Sequence, residues 1–427
     1  MKFSAPRGTR DILPEEASRW RWLEEVFREQ CRLYGFGEIR TPIFEETGLF
    51  ARSIGEETEI VTKQMYTFSD QGGRSLTLRP EGTAGVVRAY LQSGLANQGG
   101  VQRLFYFGPF FRYERPQKGR FRQFYQGGVE VFGAEGPQLD AEVIALAMDF
   151  LNALGLEGAR LRINSTGCKT CRPVYEKALR KALAPVVDKL CSWCQERYKG
   201  NTLRILDEKR PDCRRYLKDI PSILDSLDKE CREHFEDLRV LLNGLGIPYE
   251  VESDVVRGLD YYTRTVFEIN QPGLGAQDAL GGGGRYDGLV EEFGGKPTPA
   301  VGWGMGVERI LDALETNRQP QAGKGPAQEG LVYFATAGSV DMEIVPNLIS
   351  EVRASGMAAI SASLDKALKA QMKEASRQCC RWVVIVGEDE IAAGTVTLRD
   401  MESGEQQNIK REKLIDTLKQ LMEQKPL

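Results

Sequence analysis

Alternation of apolar and polar positions is clearest over Leu104–Gly133, LFYFGPFFRYERPQKGRFRQFYQGGVEVFG, where two strand-like runs flank a turn holding Pro116, Lys118 and Gly119. Successive strand side chains point to opposite faces. The pattern predicts an antiparallel hairpin in which Arg112 and Glu114 share a face, as do Arg122, Gln126 and Glu130 on the return run. Tyr106, Phe110 and Phe124 fall on the polar face too. A face mixing aromatic rings with fixed charges suits a flat, charged ligand better than bare solvent. Gly127 and Gly128 remove side chains between these groups, and the expectation is that a ligand approaches the backbone there.

The same reading extends along the chain. Ser18–Phe36 carries a broad apolar stripe at helical spacing, closed by Gly35 and Gly37. Ile39–Phe50 reads as a strand-like piece with Pro42 at its edge. Ser75–Arg79 alternates as a strand, Pro80 breaks it, and Glu81-Gly-Thr-Ala opens a helix. Leu139–Leu154 is an amphipathic helix and Ala159–Asn164 a strand. An irregular, helix-rich segment follows over about 166–248. Val255–Asn270 returns to strand texture, with a bulge expected at Gly258. Thr316–Gly330 is a linker by composition. Beyond it, strands at Leu331–Thr336, Trp382–Val386 and Thr395–Arg399 alternate with helices at Val340–Ser355, Leu364–Gln378 and Lys410–Met422, the pattern of a small α/β domain.

At 427 residues, 41% apolar and 28% charged, the chain is an ordinary globular protein with room for two or three domains. No apolar run approaches a membrane span, and the start, MKFSAPRGTRD, has no signal-peptide core, so the expected compartment is the cytoplasm. The net charge of −4 announces no nucleic acid. Locally, Lys169–Asp219 carries 14 Lys and Arg against 7 Asp and Glu, whereas Leu331–Leu427 carries 12 against 14. An RNA partner would be drawn to the first region. The one histidine, His234, nearly excludes a Ser-His-Asp relay or a multi-histidine metal site, and in its charged helical run it reads as structural.

Four constellations carry candidate chemistry. Glu81 and Thr83 sit at a helix N-terminus, where free N–H groups and polar side chains hold small ligands; the plain alternative is capping by Thr83 with Glu81 exposed. Cys168-x2-Cys171 and Cys191-x2-Cys194 match a tetrahedral zinc site, against four reduced structural thiols, with Cys213 and Cys231 as spare ligands. Gly281–Gly284 run into Arg285-Tyr286-Asp287-Gly288, a glycine run that favours close approach to a ligand. Ala300–Ala313, AVGWGMGVERILDA, is expected to free backbone N–H groups at Gly302, Gly304 and Gly306 near a helix start, with Arg309 in the first turns, a combination suited to polyphosphate.

Phe111–Phe124, FRYERPQKGRFRQF, resembles the motif 2 hairpin of class II aminoacyl-tRNA synthetases. PEGT at 80–83, RGLDYY at 257–262 and GGRYDG at 283–288 resemble signatures of the histidyl-tRNA synthetases within that class. The helix-strand-Pro unit is similar to motif 1, Ala300–Ala313 to motif 3, and the last domain to a shared anticodon-binding domain. Departures are small: Tyr125 stands where the family often has histidine, and Gly281–Gly284 is one glycine richer than its pattern.

The resemblance implies an α/β chain with an α+β catalytic core: an antiparallel class II sheet flanked by helices over 1–318, a helical insertion at about 166–248, a linker at 319–330 and an anticodon-binding domain at 331–427. It implies ATP with Mg²⁺, histidine and tRNA(His) as ligands, and a homodimer. Arg112 and Arg257 are then the catalytic pair. Arg112, Glu114, Arg257 and Arg309 would hold ATP. Glu81, Thr83, Gln126, Glu130, Tyr261, Tyr262 and Tyr286 would hold histidine, and Arg115 and Gln117 would meet the tRNA acceptor end. The alternative is a non-catalytic paralogue serving as a regulatory subunit in histidine biosynthesis. Such a chain typically lacks the last domain and has degraded motifs, and this one keeps both.

Overall fold

A computed structural model of the chain describes residues 3–55, 58–116, 119–208, 210–255, 259, 261–274, 278–316, 330–361 and 366–423. They form two compact units, Met1–Gly323 and Lys324–Leu427. Among the described residues no helix is long and apolar enough to cross a membrane.

Helix α1, Pro14–Leu33, starts four residues before its apolar stripe suggests. Proline fits the first helical turn, and Glu15 and Glu16 face the positive end of the helix dipole. Its buried face, Trp20, Leu23, Phe27 and Cys31, lies on the first unit's sheet. Ile39–Phe50 is not one strand. Phe44–Glu46 is a short strand and Thr47–Ile54 a helix. The short strand joins Tyr66–Ser69 and Ser75–Leu78 in a small separate sheet. Helix α2, Thr83–Gln92, opens directly after Pro80-Glu81-Gly82.

The central sheet has eight strands: β1 Gly37–Glu38, β2 Gln102–Phe111, β3 Gln123–Phe132, β4 Arg160–Ser165, β5 Tyr249–Val251, β6 Thr263–Asn270, β7 Ala279–Arg285 and β8 Ala300–Gly306. Their order is β1-β2-β3-β8-β7-β6-β4-β5, antiparallel except for the outermost pairs. The hairpin β2–β3 keeps an unbroken register from Gln102↔Phe132 to Phe111↔Gln123. Helix α3, Gln138–Ala153, covers one face with Val143, Ile144, Ala147, Phe150 and Leu151. Phe27 joins the layers, its ring 5.7 Å from Phe105, 5.2 Å from Phe150 and 5.9 Å from Trp303.

Two expectations change here. Strand β6 begins at Thr263, with Arg264 at a positive φ of 51°, so Tyr261 and Tyr262 precede the strand. Of the stretch before them, Arg257 and Gly258 lie outside the described residues. Gly281–Gly284, expected to let a ligand approach the backbone, are strand β7, paired on both sides.

Between β4 and β5 the chain builds helices α4 Cys171–Leu183, α5 Ser192–Lys199 and α6 Lys229–Gly244, with short helical turns between them. A separate core packs Tyr175, Leu179, Leu183, Ile205 and Leu217. Helix α7, Val307–Thr316, closes the first unit's elements.

The second unit has a five-stranded sheet of β9 Val332–Ala337, β10 Ala359–Ser361, β11 Trp382–Gly387, β12 Thr395–Asp400 and β13 Gln406–Lys410, in the order β10-β9-β11-β12-β13. Helices α8 Ile344–Ala354, α9 Leu368–Arg377 and α10 Leu414–Glu423 accompany it. Lys410, expected to start the last helix, ends strand β13 instead. The run QQNIK has no apolar alternation, because β13 is a solvent-facing edge held by backbone pairing and by the Thr397 hydroxyl, which donates to Asn408 Oδ1 at 2.6 Å.

Candidate active site

Glu130 lies in the middle of β3, level with Leu104 on β2 and Gly302 on β8. It is 1% exposed. Its Oε1 accepts from the Thr83 hydroxyl at 2.7 Å and lies 3.5 Å from the Tyr106 hydroxyl. Its Oε2 accepts a short hydrogen bond from the Tyr286 hydroxyl. A carboxylate so far from water is costly in its charged form. Burial accordingly pushes the Glu130 carboxyl up to about 8, against the lowering pull of Tyr286 and Thr83.

Glu81 has a different task from the one that plain capping assigns. It is buried, and its own carboxylate takes the first N–H groups of α2: Thr83 N–H donates to Oε2 at 2.6 Å and Ala84 N–H to Oε1 at 2.9 Å. Thr83 is thereby free to turn its hydroxyl to Glu130. Two buried carboxylates thus meet at one helix start. Tyr261, Tyr262 and Tyr286 line the same region, with Tyr261 centred 4.8 Å from Tyr262 and 5.6 Å from Tyr286. Gln126 stands on the Glu130 face of β3, two pleats back. A cleft of about 450 Å³, lined by Cys168, Lys169, Arg172, Tyr261, Tyr262 and Thr263, reaches the tyrosines from the insertion.

The cationic side begins one residue past β2. Arg112 Nε donates to the Pro80 carbonyl at 2.8 Å, and its guanidinium lies 5.5 Å from the centre of Phe124. Its Nη1 stands 3.9 Å from Glu114 Oε1, and Arg120 holds the other oxygen of Glu114 at 3.1 Å. Arg309, in the first turn of α7, donates from Nε to the Ala279 carbonyl at 3.3 Å, while its buried Nη2 has no protein partner. A guanidinium with an unspent buried donor is prepared for an anionic ligand. Arg115 is exposed after the strand end. Gln117 and Arg257 lie outside the described residues.

Several expectations are corrected by contacts that sequence spacing does not report. The glycines of the hairpin leave no opening for a ligand. A Cβ at Gly128 would stand 2.4 Å from the Tyr106 ring, and one at Gly127 3.1 Å from Phe27. The gap is filled by the protein's own aromatics. Gly302 and Gly304 do not free N–H groups at a helix start; they lie inside β8 between two partner strands. A Cβ on Gly302 would fall 1.9 Å from Glu130 Oε2, so this glycine makes room for the carboxylate. Arg122 turns from the Glu130 face to the N-terminal segment, where it stacks 3.7 Å over Tyr113 and packs on Gly8. Arg285 points away from its neighbour Tyr286 and is fully buried. It pairs with Asp140 and Asp287 and donates to the carbonyls of Ala134 and Gly136. The two CxxC pairs do not share one site. Cys168 and Cys171 lie with Asp228 and Cys231, and Cys191 and Cys194 with Glu208 and Cys213.

Tyr106 was not singled out as a site residue, although its place on the polar face marked it. Arg79 was also passed over. It is buried, donates to the Pro109 and Thr41 carbonyls, and carries the strand-to-helix turn under Glu81.

Comparison with known proteins points to one family. A family model described as histidyl-tRNA synthetase matches residues 8–310, and one described as an anticodon binding domain matches 334–421. The histidine--tRNA ligase of Desulforudis audaxviator is 51% identical over 420 residues, 98% of this chain and 99% of the relative. That of Moorella thermoacetica is 49% identical over 424 residues, 99% of each. The crystal structure of apo S. aureus histidyl-tRNA synthetase superposes with a TM-score of 0.81 at 38% identity, covering 98% of this chain and 100% of that one. These end-to-end likenesses do not favour a regulatory subunit. A buried carboxylate at the centre of an antiparallel sheet, arginines beside it and relatives of one name along almost the whole length lead to one assignment: the chain belongs to the histidyl-tRNA synthetase family.

Proposed function

We propose that the Glu130 cluster is the histidine pocket of an enzyme that makes histidyl-adenylate from histidine and ATP, and then moves the histidyl group to the 3′ end of tRNA(His). The family implies ATP with Mg²⁺; ATP enters as its Mg²⁺ complex. The observation that carries the reading is the buried Glu130 carboxylate with hydroxyls of Thr83 and Tyr286 aimed at it.

The reaction needs no general base. The histidine carboxylate is ionised, attacks the α-phosphorus in line, forms an O–P bond and expels pyrophosphate, which takes up the displaced electron pair. Catalysis is then positioning and the neutralisation of growing negative charge. Arg112, fixed through Nε by the Pro80 carbonyl, keeps its Nη donors for the α-phosphate. Arg257 is assigned to the opposite side of the same phosphate. Arg309 holds the γ-phosphate with its unspent donor, and Glu114 accepts from the adenine amino group. Glu81 and Thr83 hold the amino end of histidine, and Glu130 receives the imidazole N–H, with Gln126, Tyr261, Tyr262 and Tyr286 around the ring. An apolar isostere would leave Glu130 buried and unpaired, which supports strong rejection.

Arg115 and Gln117 are assigned to the tRNA acceptor end, and the unit from Lys324 to the anticodon. The exposed Lys369, Lys373 and Arg377 of α9 supply a basic face for it. The active form is a homodimer in the cytoplasm, and exposed Ile43, Phe44 and Phe68 offer an apolar face for the second copy.

The test is ATP–pyrophosphate exchange with each amino acid in turn, comparing wild type with Arg112→Ala and Arg257→Ala. Exchange with histidine alone, reduced at least about 100-fold in each variant, is the expected result. Histidine binding without exchange would overturn the catalytic reading.

A further inference from the structure

Eight side chains of the insertion play no part in that chemistry. Cys168, Cys171, Asp228 and Cys231 each offer one ligand atom, all within 4.8 Å of one another, and Cys191, Cys194, Glu208 and Cys213 do the same. We propose that each group binds one zinc ion, giving the chain two structural centres of three thiolates and one carboxylate.

The spacings are those of a tetrahedron about to close. Zinc bonds of about 2.3 Å to sulfur place neighbouring sulfurs about 3.8 Å apart, and a carboxylate oxygen at about 2.0 Å falls about 3.5 Å from each sulfur. Cys168 Sγ lies 3.6 Å from Cys171 Sγ, far beyond a disulfide bond of about 2.05 Å. Asp228 Oδ2 is 3.0 Å from Cys168 Sγ. In the second group Glu208 Oε2 stands 3.2 Å from Cys191 Sγ and 3.4 Å from Cys194 Sγ, so a single oxygen faces two sulfurs.

The surroundings orient the ligands. Asp228 Oδ1 accepts the Cys231 N–H at 2.8 Å at the start of α6, which turns Oδ2 toward the sulfurs. Backbone N–H groups of Thr170, Asp228, Cys191 and Cys194 donate to the sulfurs of Cys168, Cys171, Cys213 and Cys191 at 3.2–3.4 Å. N–H donation favours the thiolate, the form that ligates. Three thiolates and a carboxylate around Zn²⁺ leave a double negative charge. Arg210, paired with Glu208 and 2.6 Å from Cys191 Sγ, offsets part of it in the second group.

The fold gives the ions a task. Between α5 and α6 the insertion runs through short helical turns around a small core of its own, and small units commonly rely on metals as well. The first group ties the start of α4 to the start of α6, at the two ends of the insertion. The second ties the start of α5 to Glu208 and Cys213. The donor set excludes Mg²⁺ and Ca²⁺, which take oxygen ligands. The proposal is independent of the assignments around Glu130.

The full-length chain, purified without chelators, is analysed for metal by mass spectrometry and for ligands by zinc X-ray absorption. Expected are two zinc ions per chain, each with three sulfurs at about 2.3 Å and one oxygen at about 2.0 Å. Cys231→Ser and Cys213→Ser should each retain one ion, and the double variant none. Should the variants fail to fold, wild type still answers through zinc released by a mercurial reagent, two equivalents being expected. Less than one zinc per chain after dialysis against zinc, one ion bound by four sulfurs, or disulfides within the pairs would each overturn the proposal.

Discussion

Glu130 and the ring assigned to it share a proton problem. The free carboxyl sits at about 8 because burial disfavours its charge, while a free imidazole titrates at about 6.5. Between those values one proton serves both partners, on Glu130 before binding and between the two groups afterwards. Below the range Glu130 and the imidazole each carry the extra proton and binding must release one; above it Glu130 is ionised and the neutral imidazole keeps its single N–H, so the shared extra proton, and the imidazolium–carboxylate pair it makes, is lost. The kcat/KM for histidine should therefore be bell-shaped, with limbs near pH 6.5 and 8, and Glu130→Gln should remove the upper limb while lowering the plateau roughly 10- to 100-fold. An unchanged upper limb in steady-state profiles of that variant would assign it to another group. Glu81, Thr83, Glu130 and Tyr286 were named from spacing and motif, and they do meet in space. The orientation of Arg285 was not legible in the run that holds it: neighbours on a strand face opposite ways, and composition does not say which of Arg285 and Tyr286 faces the ligand. Tyr106 was legible as an aromatic on the polar face, but not its partner, since only the fold brings its hydroxyl 3.5 Å from Glu130.

Strand and helix existence was well marked where apolar period and breakers agreed, as in β2, β3, α3 and β11. It failed where tertiary contact replaced pattern, as in the glycine strand β7 and the polar edge β13. A glycine run carries no period, so its partners decide its conformation. That closeness makes a sharp prediction. Gly128→Ala places a methyl 2.4 Å from the Tyr106 ring and 2.8 Å from the Trp303 carbonyl. The chain should lose about 1–3 kcal/mol in urea unfolding, and more if the sheet cannot shift. An equal test exists on α6. His234 is buried near Asp140, whose oxygens already serve Arg285 and Thr265, and burial lowers its pKa to about 4. The unfolded chain takes up that proton near pH 6.5 and the native one only near 4, so the group's contribution is present above 6.5 and lost as pH falls toward 4, by at most about 3 kcal/mol. Glu130 and Glu308 have carboxyls raised by burial to about 8 and about 7, and they act in the opposite sense. The comparison of urea midpoints for wild type and His234→Gln isolates the histidine: the variant should gain on wild type as pH falls from 7 to 5.

At the scale of the whole molecule, composition and the linker pointed to an α/β unit after Gly330, whereas the internal wiring of the insertion was out of reach. Two CxxC pairs read as one set of four because sequence separation carries no distance; Cys213 and Cys231, with Asp228 and Glu208, complete each pair only in three dimensions. The small sheet leaves Phe44 51% and Phe68 44% exposed, their rings 6.2 Å apart. Rings this exposed suit burial against another surface. Phe44→Asp with Phe68→Asp should shift sedimentation from dimer to monomer at micromolar concentration, and a dimer that survives both changes would place the contact elsewhere. The meeting of Cys168 with Asp228, 60 positions apart in the chain, has a consequence of another kind. The intervening stretch leaves and rejoins the body at nearly one point. A gene that gained or lost it would keep β4 and α6 in place, so this piece of the protein is free to be exchanged, lengthened or transplanted in evolution while the sheet that holds Glu130 goes on undisturbed.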